Sequence, residues 1–155
     1  MQFSSKEDIE APIADVFAAV TDFEAFERQA LRRGIDVQRK GDVTAPEDGL
    51  SWQATFEMRG KPRDLDLTLA TFDPPNALRF DAMSNGLEGQ MVIDLMSLSQ
   101  QRTRLAVVVT FTPKTLPARL LIQSLKLGKA ALTRRFKLKV ADFAKSVEKR
   151  KRKRA

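Results

Sequence analysis

The sequence predicts an α+β fold with a seven-stranded curved antiparallel sheet, two short helices after the first strand, and a long C-terminal helix packed across the sheet. Three patterns lead to this prediction: helix-start signals after a short opening strand, a long stretch of period two, and a broad amphipathic segment at the end. With 155 residues, we expect a single domain over 1–148 and a disordered basic tail over 149–155.

The first elements are an alternating segment and two helix-forming segments. Residues 3–10 alternate weakly between apolar and polar side chains and predict a strand. Pro12 and Asp15 are typical of a first helical turn. A second short helix is predicted from Phe23 to Gly34, where glycine favours a helix end.

The middle of the chain, from Ile35 to Thr112, alternates with a period of two. Its turns are rich in glycine, proline and asparagine, and Asn85-Gly86 is typical of a two-residue hairpin turn. The predicted strands lie near 35–41, 50–59, 63–72, 77–84, 88–98 and 102–112. Large apolar side chains occupy one face and polar ones the other, so we expect one buried face.

The last segment, from Pro117 to Arg154, has apolar residues at steps of three, four or seven, which places them on one face of a helix. These residues are Leu121, Leu125, Leu132, Phe136, Val140, Phe143 and Val147. Thr115 is predicted to cap this helix. Gly128 lies in the middle of the pattern and predicts a local bend.

Composition excludes several classes of chemistry. The chain has no histidine, cysteine or tyrosine, which rules out histidine-based catalysis, thiolate or histidine metal sites and disulfides. We therefore expect no metal and no cofactor. The sequence has no signal-peptide pattern, and its apolar runs are far shorter than a membrane span, so we expect a soluble, cytoplasmic protein.

The order of elements, together with Ile9-Glu10-Ala11-Pro12, Asp15-Val16-Phe17, Val20 and Asp22-Phe23-Glu24, resembles the START-like superfamily. This superfamily, also called SRPBCC, includes polyketide cyclase/dehydrase and Bet v 1-like proteins with the helix-grip fold. The resemblance covers nearly the whole chain. It implies a sheet wrapped around the C-terminal helix, with a cavity between them. Members bind lipids, sterols, polyketides and other apolar molecules; some are enzymes and some are co-chaperones.

The first hypothesis is therefore binding or transfer of a small apolar ligand, lipid-like or polyketide-like, between the sheet and the last helix. The candidate ligand-binding residues are Trp52, Phe56, Leu67, Leu69, Phe80, Met91, Ile93, Val109, Phe111, Leu121, Leu125, Leu132 and Phe136. The alternative is that these side chains simply fill the core, because any half-buried sheet shows this pattern.

The second hypothesis is a small cyclase-like or hydrolase-like enzyme. Without histidine or tyrosine, it would need a buried carboxylate or lysine with a shifted pKa. Asp64 and Asp66 lie on one strand face, but alternation with leucines predicts that both are exposed. Glu88 and Asp94 are isolated acids, so we expect no catalytic residues and a binding protein rather than an enzyme.

The third hypothesis concerns the basic end of the chain. Residues 117–155 carry a net charge of +12, whereas the first 116 residues carry −5. The candidate residues for binding an anionic surface are Lys149, Arg150, Lys151, Arg152, Lys153 and Arg154.

An anionic membrane is one partner for this segment and the C-terminal helix. Nucleic acid is another, less favoured because aromatic residues are not interleaved. A solvated tail without a partner is the third interpretation. The sequence does not predict an oligomeric state.

Overall fold

The computed structural model describes residues 1–154, and it has seven strands and four helices in that part of the chain. The strands are β1 (Gln2–Ile9), β2 (Asp36–Lys40), β3 (Ser51–Met58), β4 (Lys61–Asp73), β5 (Ala77–Ser84), β6 (Leu87–Ser99) and β7 (Arg102–Pro113). The helices are α1 (Ile13–Val20), α2 (Phe23–Arg32), α3 (Leu116–Lys126) and α4 (Lys129–Arg154). This confirms the predicted α+β class with a seven-stranded curved antiparallel sheet.

The strands form one antiparallel sheet in the order β1-β7-β6-β5-β4-β3-β2. The hairpin turns at Arg59-Gly60 and Asn85-Gly86 have positive φ at both residues, as a two-residue hairpin turn requires. The second of these was predicted from its sequence. The β1 strand pairs with β7, with Phe3 opposite Val109, so the first strand is joined to the last strand of the meander.

The inner face of the sheet carries the apolar residues of the predicted pattern. Leu69 lies opposite Phe80, and Ile93 lies opposite Val107, so large side chains are aligned across neighbouring strands. A register shift between Leu69 and Thr71 bends β4 and moves Phe72 onto the same face as Leu69. Together with α1, α2 and α4, these residues form one hydrophobic core.

The helix ends follow local chemistry. Asp22 caps α2 by accepting a hydrogen bond from the Ala25 amide at 3.3 Å. Gly34, with φ of +80°, follows α2 and ends it as predicted. Thr115 caps α3 by accepting a hydrogen bond from the Ala118 amide at 3.3 Å, also as predicted.

The C-terminal region is two helices rather than one uninterrupted helix from Pro117. At Leu127 and Gly128 the backbone amides donate to carbonyls three residues earlier, Ser124 and Leu125. These tighter bonds end α3, and α4 begins at Lys129. The helical hydrogen-bond pattern is therefore interrupted at Leu127 and Gly128, where the sequence predicted a local bend. The long helix that packs across the sheet is α4, which is about 39 Å long.

The segment expected to be a disordered tail, 149–155, differs from that expectation over the residues that the structure describes. Helix α4 continues to Arg154. Its end is held to the rest of the molecule, because the Glu10 amide donates to Glu148 Oε1 at 3.0 Å and Lys151 Nζ donates to Gln101 Oε1. None of the helices within residues 1–154 is long and apolar enough to cross a membrane.

Candidate functional site

An apolar cavity of about 520 Å³ lies between the inner face of the sheet and the helices α2 and α4. Every strand from β2 to β7 contributes to its wall. The residues that line it are Val20, Phe23, Phe26, Glu27, Ala30, Val37, Trp52, Leu67, Phe80, Met91, Ile93, Leu105, Val107, Phe136, Lys139, Val140 and Phe143. Its size lies within the range of small-molecule sites.

The cavity opens between α2 and α4. Phe26 on α2 and Lys139 on α4 line the cavity and are also exposed to solvent, whereas the strand residues of the wall are buried or half-buried. The rings of Phe26 and Phe143 contact each other across this opening, with centroids 6.2 Å apart. A movement of α2 or of α4 that separates these two rings would widen the entrance.

Trp52, the only tryptophan in the chain, lies at the centre of an aromatic part of the wall. Its ring packs edge-on against Phe23, with centroids 5.3 Å apart, and at a tilt against Phe80, at 6.3 Å. Phe23 and Phe80 are themselves 6.1 Å apart and nearly perpendicular. Such contacts hold the three rings in fixed orientations, so this side of the cavity is preformed.

Glu27 is the acidic group of the cavity wall, and it is fully paired. Both of its carboxylate oxygens accept hydrogen bonds from Arg39, from Nε and Nη2, each at 2.9 Å. The indole Nε1 of Trp52 donates to Glu27 Oε2 at 3.2 Å. Arg39 also donates to the carbonyl of Thr44 at 3.0 Å. This network ties α2 to β2 and β3 and fixes the indole of Trp52.

The surroundings of Glu27 determine its protonation state. The hydrogen bond from Arg39 lowers the pKa of Glu27 below its usual value; partial burial opposes this, and the bond from Trp52 adds to it. The same bond raises the pKa of Arg39. Glu27 is therefore ionised at neutral pH and is neither a proton donor nor an uncommitted base.

Of the thirteen residues predicted to bind ligand, the structure places six in the cavity wall. Five lie on the strands and one on α4: Trp52, Leu67, Phe80, Met91, Ile93 and Phe136. Alternation identified the first five because strand residues two apart share a face, and the helical period identified Phe136.

Three predicted residues of the C-terminal segment lie outside the cavity wall, two of them because the segment is divided into α3 and α4. Leu121 and Leu125 belong to α3, which packs against β7 and not over the cavity. Leu132 lies in the first turn of α4 and is half-buried outside the cavity wall. The spacing of the apolar residues continues through Gly128, so the sequence pattern alone did not show that the two parts pack in different places.

The other four predicted residues lie on the strands but beyond the cavity. Leu69 is completely buried in the core. Val109 packs against the core, and Phe111 contacts Phe3 at 6.3 Å between centroids. Phe56 is half-buried and lies opposite Arg63 on β4. These four side chains lie within the core or against the sheet and not in the cavity wall.

The main contribution that the sequence prediction missed comes from α2. Phe23, Phe26, Glu27 and Ala30 are spaced three, four and seven apart and line the cavity together. Their spacing was recognisable, and a carboxylate within an apolar face was a signal for a buried polar contact. The other wall residues that were not predicted are Val20, Val37, Leu105, Val107, Lys139, Val140 and Phe143.

The remaining acidic candidates lie on the surface. Asp64 and Asp66 are exposed, as predicted, and they pair with Thr55 at 3.0 Å and with Lys40 at 2.6 Å. The half-buried Glu88 forms an ion pair with the exposed Lys114 at 3.5 Å, and Asp94 is exposed. None of these carboxylates lines the apolar cavity.

The six basic candidates lie in the last turns of α4, beyond the part of that helix that lines the cavity. Lys149, Arg150, Arg152 and Lys153 are exposed, and Lys151 is half-buried. The side chain of Arg154 lies outside the described part of the chain. The basic segment and the apolar cavity are thus separate features of the molecule.

The fold of this chain resembles solved structures of other proteins, whereas its sequence matches none of the families or curated sequences compared. No protein-family model and no curated protein sequence matches this chain. An aromatase/cyclase, Zhui from Streptomyces sp. R1128, matches with a TM-score of 0.66 at 11% identity, over 97% of this chain and 94% of that one.

Two further structures show the same likeness. A point mutant of norcoclaurine synthase from Thalictrum flavum, in complex with a transition-state analogue, matches with a TM-score of 0.66 at 13% identity, over 97% of this chain and 96% of that one. Ara h 8.0201 matches with a TM-score of 0.57 at 14% identity, over 96% and 95%. At these identities the likeness concerns the fold alone: this chain has the helix-grip fold that the resemblance implied.

Proposed function

We propose that this protein binds a small apolar molecule, lipid-like or polyketide-like, in the cavity between the sheet, α2 and α4. The observation that carries the proposal is the cavity itself: about 520 Å³, with a wall of aliphatic and aromatic side chains. Such a wall favours a ligand with a large apolar surface, because the ligand and the wall are both removed from water on binding.

The polar groups of the wall limit what else the ligand carries. Glu27 already accepts three hydrogen bonds from Arg39 and Trp52, which leaves about one acceptor site, on Oε1, for a ligand. Lys139 lies at the opening, and no ion pair involves it in the described part of the chain. The site therefore favours a ligand whose polar groups, if it has any, lie at the entrance.

The structural neighbours support a small organic ligand in general terms. One is named as an aromatase/cyclase and another as norcoclaurine synthase, and the second was crystallised with a transition-state analogue. The same fold hosts different functions, so these names support the ligand class and do not identify the ligand.

A cyclase-like or hydrolase-like enzyme is the second candidate, and Glu27 is the observation that favours it. It is an ionisable group in the cavity wall, as that hypothesis requires. Its pKa is lowered, however, and catalysis of proton transfer at neutral pH calls for a carboxylate whose pKa is raised. We therefore place binding first and catalysis second.

Transfer of a lipid-like ligand to or from a bilayer would involve contact with the membrane, and the basic residues of α4 supply attraction to an anionic one. This partner, and the cytoplasmic location expected from the sequence, are parts of the proposal. Nucleic acid remains the less favoured partner of the same residues.

The first experiment is native mass spectrometry of freshly purified protein, followed by organic extraction. We expect an added mass equal to one small organic molecule, and the extract to contain an apolar compound. Protein that carries no added mass, and that also fails to bind any member of a panel of fatty acids, sterols and aromatic polyketides, would contradict the proposal.

The fluorescence of Trp52 provides the binding assay, since it is the only tryptophan and lies in the cavity wall. Met91→Gln places an amide in the wall with nothing to bond to, so we expect binding to weaken by about tenfold or more. Met58→Gln is the matched control, because Met58 is also half-buried on the sheet but lies outside the cavity wall. Equal effects of the two substitutions would show that the ligand binds elsewhere.

A further inference from the structure

Helix α3 is apolar on two opposite sides. Ala118 and Ile122 are buried on the side that faces the protein. On the other side, Leu116 and Leu120 are exposed by 68% and 58%, and Leu127, which directly follows α3 and keeps helical backbone angles, is exposed by 92%. At about 100° per residue, these three leucines lie within about 40° of one another around the helix axis. They form one stripe that faces solvent, which we call the leucine face.

A helix on the surface of a protein needs one apolar side for packing, and its other side is normally polar. Scattered exposed leucines are ordinary, but here three lie along one face, interrupted only by the exposed Gln123 between Leu120 and Leu127. The core does not require this face, because Ala118 and Ile122 already secure the contact of α3 with the body. The leucine face is therefore available to a partner.

The charge around the leucine face has a single sign. Arg119, Lys126 and Lys129 lie on α3 or at the start of α4, and no carboxylate occurs between Asp94 and Asp142. In the part of the chain that the structure describes, no basic residue after Lys114 takes part in an ion pair. The positive charge here is therefore not neutralised within the molecule.

We propose that the leucine face docks onto an anionic lipid bilayer, with Leu116, Leu120 and Leu127 entering the interface and Arg119, Lys126 and Lys129 contacting lipid phosphates. An apolar stripe beside cationic side chains matches the two properties of that surface, hydrocarbon below charged headgroups. Nucleic acid has phosphates for the basic side chains, but it has no hydrocarbon layer for the exposed leucines to enter. A second copy of the chain would bring like charges together. This proposal deepens the membrane part of the proposed function and does not require an occupied cavity.

The position of the leucine face distinguishes it from the basic end of α4. Helix α4 begins at Lys129 and is about 39 Å long, so residues 149–154 lie at the far end from α3. The Lys151 contact with Gln101 places that end beside the turn between β6 and β7, whereas α3 follows the other end of β7. Docking through α3 therefore depends little on the last six basic residues.

The test is co-sedimentation of the whole protein with vesicles of phosphatidylcholine, and with vesicles of equal parts phosphatidylcholine and phosphatidylglycerol. We expect binding to the anionic vesicles only. Replacing the three leucines by glutamine should weaken it by about tenfold or more, because their apolar surface no longer enters the bilayer. Deletion of 149–155 should have a smaller effect.

The matched control replaces three exposed apolar residues elsewhere, Leu31, Met96 and Leu98, by glutamine. We expect this variant to bind anionic vesicles as the parent does. If both triple variants bind like the parent, the attraction is purely electrostatic and the leucine face is not inserted. If both lose binding equally, the effect is not specific to α3. Either result overturns the proposal of docking through α3. Neither result bears on ligand binding in the cavity, which is measured separately through the fluorescence of Trp52.

A second measurement reports insertion directly. In a Trp52→Phe background, Leu127→Trp should be quenched by brominated lipids in anionic vesicles, and Met96→Trp should not. Met96 is 59% exposed and lies near the opposite end of the sheet. Lack of quenching at Leu127 would contradict insertion. Self-association of the parent in analytical ultracentrifugation that the leucine substitutions abolish would assign the face to a second copy of the chain instead.

Discussion

At the scale of single residues, the pairing of Glu27 with Arg39 and Trp52 is the most informative contact. It links α2 to the sheet through two bonds of 2.9 Å and one of 3.2 Å. The side chain of Glu27 is 25% exposed and that of Arg39 is 31% exposed, so the pair is better shielded than an ordinary surface ion pair. The residue that looks most suited to catalysis thus has a positioning role for the cavity wall.

Glu27→Gln tests this role through the dependence of stability on pH. Because the pKa of Glu27 is lowered in the folded protein, its stabilising effect is present above the unfolded pKa and is lost as pH falls through the folded pKa. We expect the substitution to lower the free energy of unfolding by about 1 kcal/mol at neutral pH, after allowance for screening by solvent, and by much less in acid.

The measurement is urea denaturation of both proteins at neutral and acidic pH. Glu57→Gln is the control, since Glu57 on β3 is exposed and accepts no side-chain hydrogen bond within residues 1–154. A loss of stability for Glu27→Gln that is the same at both pH values would show that the ionised pair is not its cause.

At the scale of the elements, two hairpin turns with the same backbone geometry differ in their surroundings. Gly60 and Gly86 each occupy the second position of a two-residue turn, with φ of +75° and +78°. A Cβ at Gly60 would meet nothing within 4 Å, whereas one at Gly86 would lie 2.5 Å from Thr115, the residue that caps α3.

We therefore expect Gly86→Ala to destabilise the protein more than Gly60→Ala. Both substitutions carry the cost of positive φ, about 1 kcal/mol or more. Only Gly86→Ala also displaces Thr115 and disturbs the start of α3, for which we expect a further loss of about 1 kcal/mol. Thermal unfolding of the two variants checks this, and equal losses would show that the contact with Thr115 is easily relieved.

The break between α3 and α4 leads to a further prediction at this scale. Gly128 does not have positive φ, and the nearest atom to an added Cβ is the Leu125 carbonyl oxygen at 3.9 Å. Alanine fits there and restricts the unfolded chain, so Gly128→Ala should stabilise the protein by about 0.5–1 kcal/mol. Thermal unfolding measures this. A loss of stability would show that the junction needs the conformational freedom of glycine.

At the scale of the whole molecule, the sequence predicted the architecture because each element has its own local signal. Period two, hairpin glycines and helix caps such as Thr115 act over a few residues, and they agreed with the fold. The candidate site was predicted less completely, because a cavity depends on which elements meet. Phe23 and Phe26 had a clear helical pattern, but nothing in it showed that α2 faces the same space as Trp52. Likewise, Leu121 and Leu125 continue the apolar spacing of α4, but they belong to α3, which packs against β7.

The uneven distribution of charge, with +12 on residues 117–155 and −5 on the first 116 residues, is also a property of the whole molecule. Deletion of 149–155 removes six basic residues and takes the net charge from +7 to +1. If the end of α4 concentrates the field that attracts polyanions, the deletion should sharply lower the salt concentration at which the protein elutes from heparin. The control replaces six basic residues of the body, Lys6, Arg28, Arg32, Arg33, Arg59 and Lys61, by glutamine. This variant has the same net charge as the deletion but retains the basic end, so we expect it to elute near the parent. If both proteins elute at equally lowered salt concentrations, net charge alone governs binding to heparin.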